Sequence, residues 1–224
     1  MGGRFSKVTL FFVPYLAILA YGVIYFLYMD HGDFVLLLND IHGPILNFFF
    51  KYWTYTGGAT FFVVSTVLLL ILKRRYGLIL GLIGIAQGLL TLLFKQVIFP
   101  HVPRPKSFFG EKKVLNLIEG VKVNDFSSFP SGHTMTVFAL ATFVALMLQD
   151  KRWSLILLIG ATTTAISRVY LGHHFLIDIM AGSLVGVVVA ISLFLAFEKY
   201  LVNEQLDPID EPDKVLSEMD INPD

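Results

Sequence analysis

The sequence predicts an all-α membrane protein, a bundle of six transmembrane helices with a short interfacial helix between the first two spans. Three observations lead there. The 224 residues are 55% hydrophobic and only 15% charged. Their mean hydropathy is +0.71, beyond what an ordinary soluble domain carries. Several windows also run for the roughly 20 apolar residues that a helix needs to cross the hydrocarbon layer.

The spans follow in order. Thr9 to Met29, Tyr52 to Leu72, Tyr76 to Phe94 and Ile179 to Phe197 contain no Asp, Glu, Lys, Arg or His. The second of these is expected to be helical only from about Gly57. Thr134 to Gln149 and Trp153 to Ser167 are shorter and are expected to extend into their flanks. The first window is too long for the apolar run of a secretion signal and no A-x-A-like site follows it, so it reads as a retained helix. Between the first two spans, "FVLLLNDIHGPILNFFF" is apolar on several sides but broken by Asp40, His42, Gly43 and Pro44. Such a segment suits a helix lying in the membrane interface, or a re-entrant one.

The formal net charge of zero conceals an uneven distribution. Asn203 to Asp224 holds eight acids and one lysine, about −7, and leaves about +7 on the remainder. The expected division is therefore one membrane domain, residues 1–202, and an acidic, disordered tail, residues 203–224. Arg4 and Lys7, Lys73-Arg74-Arg75 and Lys151-Arg152 all share one side if the amino terminus is cytoplasmic, as the excess of Lys and Arg in cytoplasmic loops requires. Six spans return the tail to that side. The absence of cysteine removes disulfides and thiolate metal sites. Nothing in the charge pattern points to nucleic acid.

The ionisable residues that remain gather at the other membrane face. Lys95 ends the third span, and "FPHVPRP" leads on to Arg104. "FPSGHTMTVFAL" opens the fourth span, and "SRVYLGHHFLIDIM" joins the fifth to the sixth. In "PSGH", Ser131 is a good N-cap, Gly132 lets a ligand approach the backbone, and free amides with the positive end of a helix dipole attract phosphate. His133 then stands beside the anion as a proton donor or acceptor. His174 and Asp178 are four apart and share a helical face, so the carboxylate can hold the imidazole in one tautomer. Arg168 offers a planar fork of donors that matches phosphate oxygens. Each group has an ordinary structural use when taken singly, as a cap, a turn or a snorkelling cation. His173, five before Asp178, is expected to be structural.

These pieces resemble the three-part signature of the type 2 phosphatidic acid phosphatase superfamily, K-x6-RP, PSGH and SR-x5-H-x3-D. The second and third parts are present unchanged as Pro130 to His133 and Ser167 to Asp178. In the first, eight residues rather than six separate Lys95 from Arg104, so either the loop is longer or Lys106 replaces Lys95. The resemblance implies a membrane lipid phosphate phosphatase without metal or other cofactor. His174 would be the nucleophile, Asp178 its orienting partner and His133 the acid and base. Lys95, Arg104, Ser131, Gly132 and Arg168 would bind phosphate. The partner would be a phosphorylated lipid: undecaprenyl diphosphate, phosphatidylglycerophosphate, phosphatidic acid or lipid A. The enzyme would sit in the inner membrane with its site on the outer face and both termini cytoplasmic. A transporter with an intramembrane proton relay is the rival class, but it calls for polar groups at mid-helix, where this sequence is apolar. Vanadate-type peroxidation shares the anion pocket but belongs to soluble proteins.

Overall fold

The computed structural model describes residues 6–110 and 115–200, whose regular elements are helices, with no strand among the described residues. The helices are α1 (Thr9–Tyr28), α2 (Asp33–Asp40), α3 (Pro44–Trp53), α4 (Ala59–Leu72), α5 (Arg74–Leu92), α6 (Pro105–Phe109), α7 (Gly132–Leu148), α8 (Lys151–Tyr170) and α9 (Leu176–Ala196). A 3-10 turn, Thr54–Gly57, precedes α4, and α5 runs on into a π-helical turn, Leu93–Ile98. The acidic segment 203–224 lies outside the described residues.

Long helices arise here because each apolar run can satisfy its own backbone hydrogen bonds without water. Four of them, α1, α5 with its π turn, α8 and α9, are 20 to 25 residues long and apolar enough to cross a bilayer. α7 has 17 residues, and α3 with its 3-10 turn meets α4 at a 50° bend. The expected start of the second span near Gly57 matches the first residue of α4, Ala59. The segment before it differs from expectation, for it forms two short helices rather than one. Gly43, held extended at φ −162° and ψ 161° ahead of Pro44, separates them. Proline clashes with an α-helical conformation in the residue before it, and that clash breaks the helix.

The core sits in α7, α8 and α9. The α7–α9 interface is the most extensive in the molecule. Lipid tails are as apolar as leucine, so hydrophobicity does not drive these helices together; close van der Waals packing does. Gly182 and Gly186, spaced as G-x-x-x-G, permit it. A Cβ at Gly182 would stand 2.6 Å from the Ser131 carbonyl oxygen, and one at Gly186 2.3 Å from that of Met135. The Ser131 N–H donates to the Asp178 carbonyl (3.0 Å), which fixes the start of α7 against the start of α9. Away from the helix ends, polar pairs such as Tyr15 with Ser183 and Gln87 with the Met135 carbonyl are uncharged.

Candidate active site

One end of the bundle collects Lys95 from the π turn, Arg104 from the loop before α6, Ser131 to His133 from the start of α7 and Arg168 from the last turn of α8. His174 from the α8–α9 turn and Asp178 from the first turn of α9 complete the group. The basic clusters Lys73-Arg74-Arg75 and Lys151-Arg152 stand at the opposite ends of α5 and α8. Every residue expected at the site is brought to it except Lys106, which is half exposed and pairs with Asp125 (3.1 Å).

His174 and Asp178 meet by a different route from the one their spacing suggests. His174 is not helical but lies in the turn before α9, whose N-cap is Phe175. Asp178 is the third residue of the helix, and its Oδ2 reaches back to accept the Phe175 N–H (2.8 Å), half of a capping box. The same oxygen lies 3.4 Å from His174 Nδ1. Both side chains are fully buried. With Nδ1 facing a carboxylate, Nε2 is the ring nitrogen left for chemistry. Burial first, then the charges of Arg168, Arg104 and Lys95, push the His174 pKa well below its usual value. The imidazole is therefore neutral and keeps a lone pair, as a nucleophile must.

The cations surround that histidine. Arg168 is buried, with Nη1 donating to Thr54 Oγ1 (2.7 Å) while Nε has no protein partner. A buried guanidinium N–H without a partner is costly, and an anion bound beside it would remove the cost. Arg104 is held on three sides. Its Nε donates to the Phe126 carbonyl (2.9 Å), Nη1 to the His173 carbonyl (3.2 Å) and Nη2 to the Ser127 carbonyl (3.4 Å). Lys95 Nζ donates to the same Ser127 carbonyl (3.1 Å), within electrostatic reach of Arg104, Asp178 and Arg168. The longer spacing in the first motif is thus absorbed by the π turn and residues 99–103, and Lys95 rather than Lys106 neighbours Arg104.

At the start of α7, Ser131 caps the helix as expected, its Oγ accepting from the Thr134 N–H (3.4 Å) and hydroxyl (2.9 Å). His133, the second residue of the helix, lies within electrostatic reach of His174. His133 and Gly132 close one end of a groove of roughly 790 Å³ between α4 and α5, whose walls include Phe62, Gly84 and Gly88. The far rim of the site is made by α6, where Phe108 meets His31 and Phe175 edge-on. The 115–130 loop is tied to α2 by Asn39, which exchanges two hydrogen bonds with the Asn116 backbone.

Sequence reading missed Ser128, Thr54 and the part played by His173. Ser128 is fully buried, donates to Asp178 Oδ2 (2.5 Å) and lies 3.4 Å from His174 Nδ1. The only hint in the sequence was its place two residues before Pro130. Thr54 comes from more than a hundred residues away, and no spacing rule reaches that far. His173, expected to be structural, carries the carbonyl, and at 3.5 Å the ring Nδ1, that face Arg104.

Comparison with known proteins finds relatives in both sequence and fold. The PAP2 superfamily pattern matches residues 75–201, more than half of the chain. A lipid A 4'-phosphatase of Bacteroides thetaiotaomicron is 28% identical over 161 residues, covering 68% of this chain and 70% of that protein. An undecaprenyl-diphosphatase of Sulfolobus acidocaldarius is 33% identical over 153 residues, covering 67% and 70% respectively. In fold, the chain is similar to the transmembrane PAP2-type phosphatidylglycerolphosphate phosphatase of Bacillus subtilis. That likeness has a TM-score of 0.63 and 23% identity, and covers 89% of this chain and 98% of that one.

Proposed function

The chain belongs to the PAP2 superfamily, and from that premise we infer that it is a membrane lipid phosphatase working through a phosphohistidine at His174. The observation that carries this reading is the setting of His174: a buried, neutral imidazole whose Nδ1 faces Asp178 Oδ2, ringed by Arg168, Arg104 and Lys95.

The chemistry follows from those positions. Nε2 of His174 attacks phosphorus in line, and a P–N bond forms as the bond to the leaving oxygen breaks. His133 protonates that oxygen, which is a lipid alkoxide from a monoester or a lipid phosphate from a diphosphate. Arg168, Arg104, Lys95 and the amide at Gly132 hold the three remaining oxygens and offset the charge that grows on them, while the Ser131 N–H stays engaged with the Asp178 carbonyl. Asp178 stabilises the positive charge that the ring acquires. Water, deprotonated by His133, then attacks the phosphohistidine, the P–N bond breaks, and inorganic phosphate leaves. Side-chain cations supply the electrostatics, so no metal is needed.

A lipid substrate is supported by the groove between α4 and α5, which is mostly apolar and ends at Gly132 and His133. It leads a hydrocarbon chain from the bilayer to the phosphate site. Six spans, with α3–α4 counted as one bent span and α7 as another, put the site on the outer face of the cytoplasmic membrane and the basic clusters inside. Residues 1–202 make the catalytic domain and 203–224 a cytoplasmic acidic tail. The substrate is a lipid monophosphate or diphosphate of the cell envelope, the class to which undecaprenyl diphosphate, phosphatidylglycerophosphate, phosphatidic acid and lipid A belong.

The test is phosphate release by the purified chain in detergent from a panel of these lipids, with a chelator present. Release from at least one lipid, lost in His174→Ala, is expected. Full activity in His174→Ala would overturn the reading.

A further inference from the structure

We propose that Ser128 is a positioning residue that completes an Asp178–Ser128–His174 triangle and fixes the tautomer of the nucleophile. The proposal rests on the assignment of His174 as nucleophile and goes beyond it to a residue outside the three motifs.

Two donors converge on Asp178 Oδ2, the Ser128 hydroxyl at 2.5 Å and the Phe175 N–H at 2.8 Å, and His174 Nδ1 lies 3.4 Å from the same oxygen. A serine has one O–H to give. At 2.5 Å from a carboxylate oxygen, which can only accept, Ser128 must give it there. Toward His174 Nδ1, 3.4 Å away, it therefore presents only lone pairs. An Nδ1 lone pair would face two acceptors, Oγ and Oδ2, in a buried space, whereas an Nδ1–H finds both. The arrangement selects the Nδ1–H form and leaves the Nε2 lone pair free for phosphorus. Without the hydroxyl, only Asp178, at a long 3.4 Å, faces the Nδ1 proton, and the carboxylate loses one of its two hydrogen-bond donors.

The serine is itself firmly placed. It is completely buried, and its N–H donates to the Val102 carbonyl (3.1 Å). The two residues before it present the carbonyls that receive Arg104 and Lys95. One short segment thus sets the nucleophile's tautomer and holds the cations.

The test compares the full-length enzyme with Ser128→Ala, Ser128→Thr, Asp178→Asn and the Ser128→Ala/Asp178→Asn double variant, on one lipid that the enzyme hydrolyses. Ser128→Ala should lower kcat by about 10- to 100-fold, the usual cost of losing an outer partner of a reactive histidine, with KM within about twofold. Threonine, which retains the hydroxyl, should recover most of the rate. In the Asp178→Asn background the further loss should nearly vanish, because the serine acts through that carboxylate. A wild-type rate in Ser128→Ala, or an equal loss in the Asn background, overturns the proposal. If Ser128→Ala does not fold, Ser128→Cys, nearly isosteric and a far weaker donor, carries the same expectations. If His174→Ala keeps its activity, the underlying assignment falls; if that variant is dead and Ser128→Ala is unimpaired, only the role of Ser128 falls.

Discussion

The α7–α8–α9 unit and the α4–α5 pair differ in how much of their surface they bury and in where they leave room. In the first, glycines at 182 and 186 bring backbones into contact, and side chains such as Phe143, Leu158 and Phe194 are almost wholly buried. In the second, Gly77 presses on the Leu70 backbone and Gly84 on the Phe62 ring, but Gly88 faces the groove with nothing within 4 Å of its would-be Cβ, and α4 buries only Phe62. Glycine in a membrane helix therefore serves two ends, close packing where a helix presses against it and room for a ligand where none does. The packed unit carries Arg168, Asp178 and the proposed nucleophile His174, for which proximity catalysis demands placement within an ångström or less. The α4–α5 pair lines the groove proposed for the lipid.

Substitutions can break that contrast, and the largest effect is expected at the rigid end. Arg168→Ala removes a preorganised donor fork and should lower kcat about 10³-fold, measured by phosphate release. Arg168→Lys should recover little, because an ammonium cannot replace a bidentate guanidinium. Next, Lys95→Ala should cost about 10²-fold, while Lys106→Ala, which loses only an exposed pair with Asp125, should stay within about twofold. The reverse pattern would transfer the phosphate-binding role to Lys106.

Gly186→Leu should destabilise the bundle by about 2 kcal/mol or more, read as a lower thermal midpoint in detergent, since its Cβ would collide with the Met135 carbonyl. Gly88→Leu, whose Cβ meets nothing within 4 Å, should leave stability unchanged and partly fill the groove. It should raise KM for a long-chain lipid phosphate about tenfold, with kcat and the hydrolysis of a short water-soluble phosphate ester unaffected. Equal effects of the two leucines on stability would erase the distinction between the two regions.

The smallest effect is a pH slope. Burial and the charge of Arg168 lower the His173 pKa to about 2 and that of His174 well below normal. The unfolded chain takes up protons at these positions below about pH 6.5 and the folded chain does not, so their contribution to stability is full above that pH and is lost as pH falls below it. The thermal midpoint should drop between pH 7.5 and 5.5, and His173→Gln should flatten part of the drop. An unchanged slope would mean that His173 is protonated in the folded enzyme.

Much of this was legible in the sequence because membrane helices and short motifs are local signals. The apolar windows located the long helices to within a few residues, apart from the bent start of the second, and loop parity brought Lys95, Arg104, His133, Arg168 and His174 to one end. The His174–Asp178 spacing was read correctly as a contact but through the wrong geometry, since a helical face and an N-cap reach-back both join residues four apart. Tertiary partners stayed hidden. Thr54 under Arg168 and Ser128 under Asp178 are distant in the chain from what they hold, and one hydroxyl in a sequence looks like any other. The π turn that absorbs the long first motif has no compositional mark either.

The central claim is that phosphate passes through His174, and rapid quench of the enzyme with a lipid carrying a labelled phosphate tests it most directly. The account expects a base-stable, acid-labile label that forms before free phosphate appears, maps to His174 with chelator present, and is absent from His174→Ala. Normal phosphate release with the label on His133, or with no labelled protein in the burst phase, would contradict it.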